Sequence, residues 1–240
     1  IIDTAHGHTT KVSKMIKNVK KKISRVNLCA GNIATGKAAK FLADSGADIV
    51  KVGIGPGSIC TTRLVAGIGV PQLSAIIDVK KSLRNYKTKI ISDGGIKFSG
   101  DLAKGLAAGA DCIMIGSLFS GTNESPGKII KIKGKLYKNF RGMGSVGAMS
   151  VGSSDRYYQK KYKDISKYVP EGVEGLVKYK GQVSKIIYNL VGGLKSSMGY
   201  LGSKKIKDLQ RNGEFVKITK AGFYESMVHN VDHIKQNGTK

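Results

Sequence analysis

Tryptophan is absent from the 240-residue chain, proline occurs four times, and cysteine occurs three times. Three cysteines cannot form an even disulfide framework, and no Cys-x-x-Cys pair suggests a zinc site. No segment approaches the roughly 18 consecutive apolar residues that a membrane helix needs. The opening residues, IIDTAHGHTT, lack the basic segment and apolar core of a secretory signal. We therefore expect a cytoplasmic protein that does not associate with membranes.

Acidic residues are also scarce, since 16 Asp and Glu stand against 41 Lys and Arg, for a formal charge of +25. Strong basicity can indicate nucleic-acid binding, because Lys and Arg neutralise phosphates. Here 35 of the basic residues are lysines and 6 are arginines, spread along the whole chain. This distribution favours a lysine-rich, solvated surface. A polyanionic partner stays open as the alternative.

Glycine is abundant, with 32 residues, and apolar segments alternate with helical patterns in the first half of the chain. Strands are predicted at 1–5, 27–32, 47–54, 89–95 and 111–117. Helices are predicted at 11–22, 36–46, 71–86 and 99–109, the last with Ser99 as N-cap and Gly109 past its end. This alternation is typical of parallel βαβ units. Five units form either an open sheet or part of an eight-stranded barrel, and their order alone does not decide between these.

The second half of the chain has a different pattern. Residues 128–140 alternate around Gly134 and predict a hairpin. The connection at 142–181 has little helical period, and a connection this long is usually a functional lid or disordered. Helices follow at 182–194 and at 203–210, with Ser203 as cap and Gly213 as stop, and a last strand is predicted at 214–219.

Candidate ligand-binding residues follow the strands, because parallel α/β proteins bind ligands at the carboxyl ends of their strands. Gly94-Gly95 and Gly116-Ser117 offer unobstructed backbone N–H groups to a phosphate. Asp93 could accept hydrogen bonds from a ribose diol or cap the next helix, and both interpretations stay open. Cys60, in GIGPGSICTTR, lies in a glycine-rich loop where a thiolate nucleophile is plausible.

The alternative for Cys60 is an inert, buried loop cysteine. The other two cysteines, Cys29 and Cys112, have strand-like apolar neighbours and are expected to be small buried hydrophobes.

These motifs, together with SDGGI, MIGSLFSGTNESPG, RGMGS, GSSDRY and VPEGVEG, give a strong family resemblance. The chain resembles the inosine 5′-monophosphate (IMP) dehydrogenase family of the bacterial type, as the second, larger part of its catalytic barrel. The resemblance implies a (β/α)₈ TIM barrel of which this chain shows the last five units. It also implies one catalytic domain at 1–240 with a mobile flap at about 142–181, and no regulatory CBS pair is visible.

The resemblance further implies oxidation of IMP to XMP with NAD⁺ in guanine nucleotide biosynthesis, through a covalent cysteine intermediate that water then hydrolyses. The implied catalytic residues are Cys60, Arg156, Tyr157, Thr62 and Glu171. The implied substrate-binding residues are Ser58, Asp93, Gly95, Gly116, Ser117, Gly142, Met143, Gly144 and Glu171. The positions implied near the dinucleotide are Asp3, Ala5, His6, Asn32, Gly53 and Thr62.

The resemblance also implies a potassium ion and a homotetramer. The implied potassium ligands are the carbonyls of Gly55, Gly57 and Cys60, with Glu225, Ser226 and Met227 supplied by a neighbouring subunit. One departure is Phe140, where the family usually has a tyrosine whose hydroxyl reaches the phosphate. Two other functions are weighed: GMP reductase, which forms IMP from GMP with NADPH, and a non-catalytic basic barrel that binds nucleic acid. The segments GSSDRY and VPEGVEG favour hydrolysis, a step that the reductase does not need.

Overall fold

The computed structural model describes residues 1–228, and residues 229–240 of the predicted domain lie outside the described part. The main body is a five-stranded sheet in which neighbouring strands are parallel. The strands are β1 (Ile2–Asp3), β2 (Cys29–Ile33), β3 (Ile49–Val52), β4 (Lys89–Asp93) and β5 (Cys112–Met114). They are neighbours in sequence order, as consecutive βαβ units require. The predicted α/β class and parallel sheet are confirmed.

Helices connect these strands and cover one face of the sheet. They are α1 (Thr10–Lys22), α2 (Gly36–Asp44), the short α3 (Thr62–Val65), α4 (Gln72–Ser82) and α5 (Ser99–Ala107). The Thr9 and Thr35 hydroxyls accept hydrogen bonds from helix amides and cap α1 and α2. Apolar side chains from α1, α2 and α4 pack on Val50 and Val52 of β3 to form the core.

The second half of the described chain adds a small antiparallel sheet and four further α-helices. β6 (Ile129–Ile132) and β7 (Lys135–Arg141) form the predicted hairpin around Gly134, and β8 (Glu174–Lys178) pairs with β7. Between β7 and β8 lie α6 (Val146–Ala148) and two short 3₁₀ turns, Asp155–Tyr157 and Ile165–Lys167. The helices α7 (Val183–Tyr200) and α8 (Ile206–Asn212) pack against α5, and α9 (Lys220–Glu225) follows.

Three local predictions are wrong. Ser99 and Ser203 do not cap α5 and α8, whose N-cap residues are Phe98 and Lys205. The carboxylates of Asp101 and Asp208, in the first turn of each helix, accept from the amides of these N-cap residues. Residues 214–219 form no strand, since no neighbouring strand in the described chain pairs with them. The predicted helix ends at Gly109 and Gly213 are confirmed.

Cys112 is exposed, whereas Cys29 is buried as predicted. The difference follows from position, because Cys29 lies in an interior strand and Cys112 lies in β5, at the edge of the sheet. Within residues 1–228, no strand joins β5 back to β1. The eight-stranded barrel therefore stays a prediction. The same part of the chain contains no helix that is long and apolar enough to cross a bilayer.

Candidate functional site

Gly53 permits the loop that carries Cys60 to lie directly against the end of β4. Gly53 has φ of 153°, and a Cβ placed there would lie 2.1 Å from the carbonyl oxygen of Asp93. Only a residue without a side chain permits this approach of the two strand ends. The Cys60 amide donates to the Gly57 carbonyl (3.1 Å), and the half-buried thiol borders a cavity of about 260 Å³. The alternative prediction, that Cys60 is a buried loop cysteine, is therefore wrong, because its side chain is only partly buried.

A chain of hydrogen bonds connects the thiol to a carboxylate. The Cys60 thiol donates to the Thr62 hydroxyl (3.2 Å), which donates to Oε2 of Glu171 (2.7 Å). The backbone fixes Glu171, because its carbonyl accepts from the Thr61 amide and its amide donates to Gly144. The structure thus brings together three of the predicted catalytic residues, from segments more than 100 residues apart.

Arg156 and Tyr157 lie on the 3₁₀ turn of the long connection and border the same cavity. The guanidinium Nη1 of Arg156 forms an ion pair with Oδ1 of Asp3 (2.5 Å), and its carbon lies 6.0 Å from the centre of the Tyr157 ring. A Cβ at Gly144 would come within 3.0 Å of that ring. Gly144 therefore permits Tyr157 to lie directly on the RGMGS turn.

The protonation states of this pair follow from its surroundings. Burial lowers the pKa of Arg156, but the hydrogen bond and charge of Asp3 outweigh burial, so the pKa is raised overall. Burial raises the pKa of Tyr157 and outweighs the charge and hydrogen bond of Arg156, which lower it. In this arrangement Arg156 is a cation that donates to the neutral Tyr157 side chain.

A buried lysine organises the acidic residues of the site. Lys51 is 3 % exposed, and its ammonium lies 2.7 Å from Oδ2 of Asp93 and 3.1 Å from Oδ1 of Asp3. The Asn32 amide also donates to Oδ2 of Asp93 (2.9 Å) and to the Gly53 carbonyl (2.7 Å). Asp93 therefore does not cap α5, and that alternative is wrong. Sequence reasoning missed Lys51, although a single charge inside the apolar strand DIVKV was a usable signal.

The predicted phosphate turns lie side by side at the ends of β4 and β5. The Gly94 amide donates to the Met114 carbonyl (3.2 Å), and Gly94 and Gly95 have φ of 93° and 82°. Asp93, Gly94 and residues 142–144 border the smaller cavity, while Gly116 and Met143 border a larger, open cavity of about 1350 Å³. The Cys60 thiol borders the smaller cavity.

Three of the predicted substrate residues, Ser58, Gly95 and Ser117, border neither of these two cavities. Ser58 and Gly95 are exposed, and the Ser117 carbonyl accepts from the Lys180 ammonium (2.9 Å).

The long connection rests on residues that the resemblance places near the dinucleotide. The Ala5 amide donates to the Arg156 carbonyl (3.0 Å), and the Tyr158 hydroxyl donates to the His6 carbonyl (2.5 Å). Together with the ion pair between Arg156 and Asp3, these contacts dock residues 155–158 on the amino-terminal strand and the loop after it. The docked segment contacts all three residues, while Asp3 and His6 stay exposed. It occupies hydrogen-bonding groups of this surface that a second ligand would otherwise use.

The predicted potassium ligands fall in two separate places. Gly55, Gly57 and Cys60 border the smaller cavity, whereas Glu225, Ser226 and Met227, at the end of α9, border neither cavity. Residues 1–228 contain no group of three or more His, Cys, Asp or Glu side chains that could hold a metal ion. A site made of backbone carbonyls needs no such group.

Comparison with known proteins assigns the chain to a family. Residues 1–229 match the family described as "IMP dehydrogenase / GMP reductase domain". The chain belongs to this family. It is 55 % identical over 232 residues to inosine-5′-monophosphate dehydrogenase of Chlorobaculum parvum, 53 % to that of Aquifex aeolicus and 51 % to that of Bacillus subtilis. These matches cover 96–99 % of the chain and fall on the C-terminal part of the relatives.

A solved structure is also similar. The fold matches GMP reductase from Trypanosoma brucei in complex with guanosine 5′-monophosphate, with a TM-score of 0.86 and 44 % identity. The match covers 95 % of this chain and 46 % of that one. The chain spans about half the length of the curated relatives that it matches.

Proposed function

We propose that this chain carries most of the catalytic site of an enzyme that oxidises IMP to XMP with NAD⁺, in guanine nucleotide biosynthesis. The observation that carries the proposal is the convergence of Cys60, the Thr62–Glu171 pair and the Arg156–Tyr157 pair on one cavity. A nucleophile, a proton path and a second polar pair are the groups that a covalent addition followed by hydrolysis requires. The relatives named IMP dehydrogenase support the same conclusion.

The proposed reaction has two steps. In the first, the Cys60 thiolate forms a bond to C2 of the hypoxanthine ring, and the hydrogen on C2 departs with its electron pair as a hydride. In the second, water adds to C2, the bond to sulfur breaks, and Cys60 regains a free thiolate. The base is oxidised by two electrons, the dinucleotide is reduced by two electrons, and one proton is released.

The residues around the cavity divide between binding and proton transfer. Asp93 accepts the ribose hydroxyls, and its Oδ1 is free to do so because Lys51 and Asn32 both occupy Oδ2. The phosphate binds at the backbone amides of the adjacent glycine turns. Phe140 has no hydroxyl and therefore donates no hydrogen bond to it. Thr62 and Glu171 can move the proton of the attacking water away from C2, because their hydrogen bond already points from the cavity to a carboxylate.

The dinucleotide would bind at the surface that residues 155–158 now contact. Asp3, Ala5, His6, Asn32 and Gly53 would hold it there, and it supplies the acceptor for the hydride. Ala5, Asn32 and Gly53 already border the cavity beside the thiol. Asp3 presents a carboxylate that can accept hydrogen bonds from hydroxyls once Arg156 leaves it. Flap docking and dinucleotide binding therefore compete for the same polar groups, which orders the two steps of the reaction.

The barrel, the potassium ion and the tetramer belong to the same proposal. The five strands lie in sequential parallel order, and the edge strand β5 leaves Cys112 exposed and Met114 37 % exposed. Three further strands between β5 and β1 would cover these edges and close a (β/α)₈ barrel. Carbonyls of Gly55, Gly57 and Cys60 would hold potassium, with α9 of a neighbouring subunit completing the site.

GMP reductase is the second candidate, because the chain is similar in structure to a GMP reductase. The hydrolytic groups argue against it, since reductive removal of an amino group needs no activated water. A non-catalytic barrel that binds nucleic acid is the third possibility, and it gives no account of the bonded chain from Cys60 to Glu171.

Replacement of the nucleophile tests the proposal. Cys60→Ala should abolish formation of NADH and XMP from IMP and NAD⁺, whereas Cys112→Ala, which changes an exposed thiol outside the cavity, should leave both unchanged. Mass spectrometry of the quenched reaction should show a nucleotide attached to Cys60 only in the protein that has this thiol. NADH formation by the Cys60→Ala variant would contradict the mechanism. Formation of IMP from GMP and NADPH by the unchanged protein would favour the reductase.

A further inference from the structure

Lys51 is a buried cation of the site, and the roles proposed above give it no direct contact with a ligand. It lies in β3 between Val50 and Val52, which face the core, so strand alternation directs Lys51 to the opposite face. A buried ammonium is unfavourable unless it is paired. Lys51 is paired twice, with Asp93 at 2.7 Å and with Asp3 at 3.1 Å.

The pairing with Asp3 is shared with the flap. Oδ1 of Asp3 contacts both the Lys51 ammonium and Nη1 of Arg156. Lys51 belongs to the rigid sheet, whereas Arg156 belongs to the segment that docks on it. Two cations on one oxygen repel each other, so Lys51 weakens the docking of Arg156 relative to a site where Asp3 had no other partner.

The pairing with Asp93 has a second consequence. Lys51 and Asn32 both bind Oδ2 of Asp93, and within residues 1–228 no donor reaches Oδ1 of the same carboxylate. The carboxylate is therefore oriented, with one oxygen held by the protein and the other available to a ligand. Lys51 therefore contacts two groups: Oδ2 of Asp93, where it fixes this orientation, and the Asp3 carboxylate, on which the flap docks.

We propose that Lys51 is a positioning residue that orients Asp93 toward the substrate ribose and, by sharing Asp3 with Arg156, keeps flap docking reversible enough for the dinucleotide to enter. The identities of the two ligands rest on the proposed function. The effect of Lys51 on the flap does not, because it follows from contacts within the chain.

The test compares Lys51→Met with Lys89→Met, which removes an exposed lysine from the neighbouring strand. Without ligands, trypsin should cleave the exposed flap lysines, Lys160, Lys161 and Lys163, about five-fold more slowly in Lys51→Met, because Arg156 then docks without competition. With ligands, the half-saturating concentrations of NAD⁺ and of IMP should each rise about five-fold or more in single-turnover formation of NADH. Lys89→Met should match the unchanged protein in all three measurements.

A double variant separates positioning from general damage. When Arg156→Ala is also present, Lys51→Met should no longer change the half-saturating concentration of NAD⁺, because the guanidinium whose docking it strengthens is absent. Its effect on the half-saturating concentration of IMP should persist. A loss of structure would change both dependences in both backgrounds. If Lys51→Met does not fold, Lys51→Gln serves the same comparison, because it removes the charge and keeps a donor.

Faster or unchanged cleavage of the flap in the Met or Gln variant would overturn the inference, as would an unchanged NAD⁺ dependence. These results differ from failure of the proposed function. If the unchanged protein makes no NADH from IMP, the function is wrong, and the ligand-free cleavage measurement still decides the role of Lys51.

Discussion

Replacing Arg156 with alanine should separate the two halves of the proposed reaction. Arg156 borders the cavity with residues 155–158 docked on Asp3 and Ala5. In the proposed mechanism the dinucleotide displaces this segment, so we expect Arg156 not to be needed while the hydride leaves. Hydride transfer in Arg156→Ala should therefore stay within a few-fold of the unchanged protein. Hydrolysis should fall by about 10² to 10³, the usual contribution of a fixed group that stabilises developing charge, which corresponds to roughly 3–4 kcal/mol of barrier.

The assay measures the two steps separately. Mixed with IMP and NAD⁺, Arg156→Ala should release close to one NADH per chain in a rapid burst, then turn over slowly, while a nucleotide adduct of Cys60 accumulates in mass spectra. Arg211→Ala is the matched control, because Arg211 also pairs with an aspartate, Asp208, but is exposed on α8. Equal slowing of the burst and of steady turnover, without an adduct, would refute the assignment of Arg156 to hydrolysis.

Three further outcomes follow from the structure. Gly53→Ala should destabilise the protein by about 3 kcal/mol or more, because its Cβ would overlap the Asp93 carbonyl, while Gly100→Ala, in open space on α5, should be neutral or slightly stabilising in denaturant unfolding. Burial raises the pKa of Asp48, but hydrogen bonds, chiefly from Lys20, outweigh it and lower the pKa. The ionised Asp48 therefore stabilises the folded protein, by under about 1 kcal/mol at this partly exposed site. This stabilisation is present above the unfolded pKa near 3.9, and it is lost as the pH falls through the lower pKa of the folded state. The pH dependence of unfolding should accordingly be shallower in Asp48→Asn, and an identical acid profile would contradict this. Potassium should accelerate turnover, and equal rates in sodium would count against the carbonyl site.

The regular elements around the sheet could be predicted because each depends on local signals. Apolar runs bounded by glycine mark β2 to β4, and the glycines at 109 and 213 mark helix ends. The capping errors arose where a carboxylate inside the first turn competes with a serine near the predicted start. The third strand of the small sheet, β8, was missed because it is mostly exposed and depends on its pairing with β7. Such strands are decided by their partner rather than by their own composition.

The site shows the same division between local and distant information. Motifs identified Cys60, Thr62 and Glu171, but not the hydrogen bonds that join Thr62 to a residue 109 positions away. No local pattern predicts that Asp3 lies between Lys51 and Arg156, because these residues come from two strands and the flap. Long-range ion pairs of this kind depend on topology, and sequence spacing does not encode them.

The ion pair between Asp3 and Arg156 favours docking of the flap but opposes a role of Arg156 as a base. Docking of the flap is stronger when Asp3 holds Arg156 as a cation, and the same contact raises the pKa of Arg156. A group that accepts a proton from water must have a pKa near the working pH, so tight docking opposes a role as base. Tyr157 lies beside the guanidinium as a neutral side chain, and Glu171 borders the same cavity at the end of a hydrogen-bonded path from the thiol through Thr62. While Arg156 is paired with Asp3, we therefore expect the proton of the attacking water to move through Thr62 to Glu171. In the proposed mechanism Arg156 then stabilises the negative charge that develops as the bond to sulfur breaks.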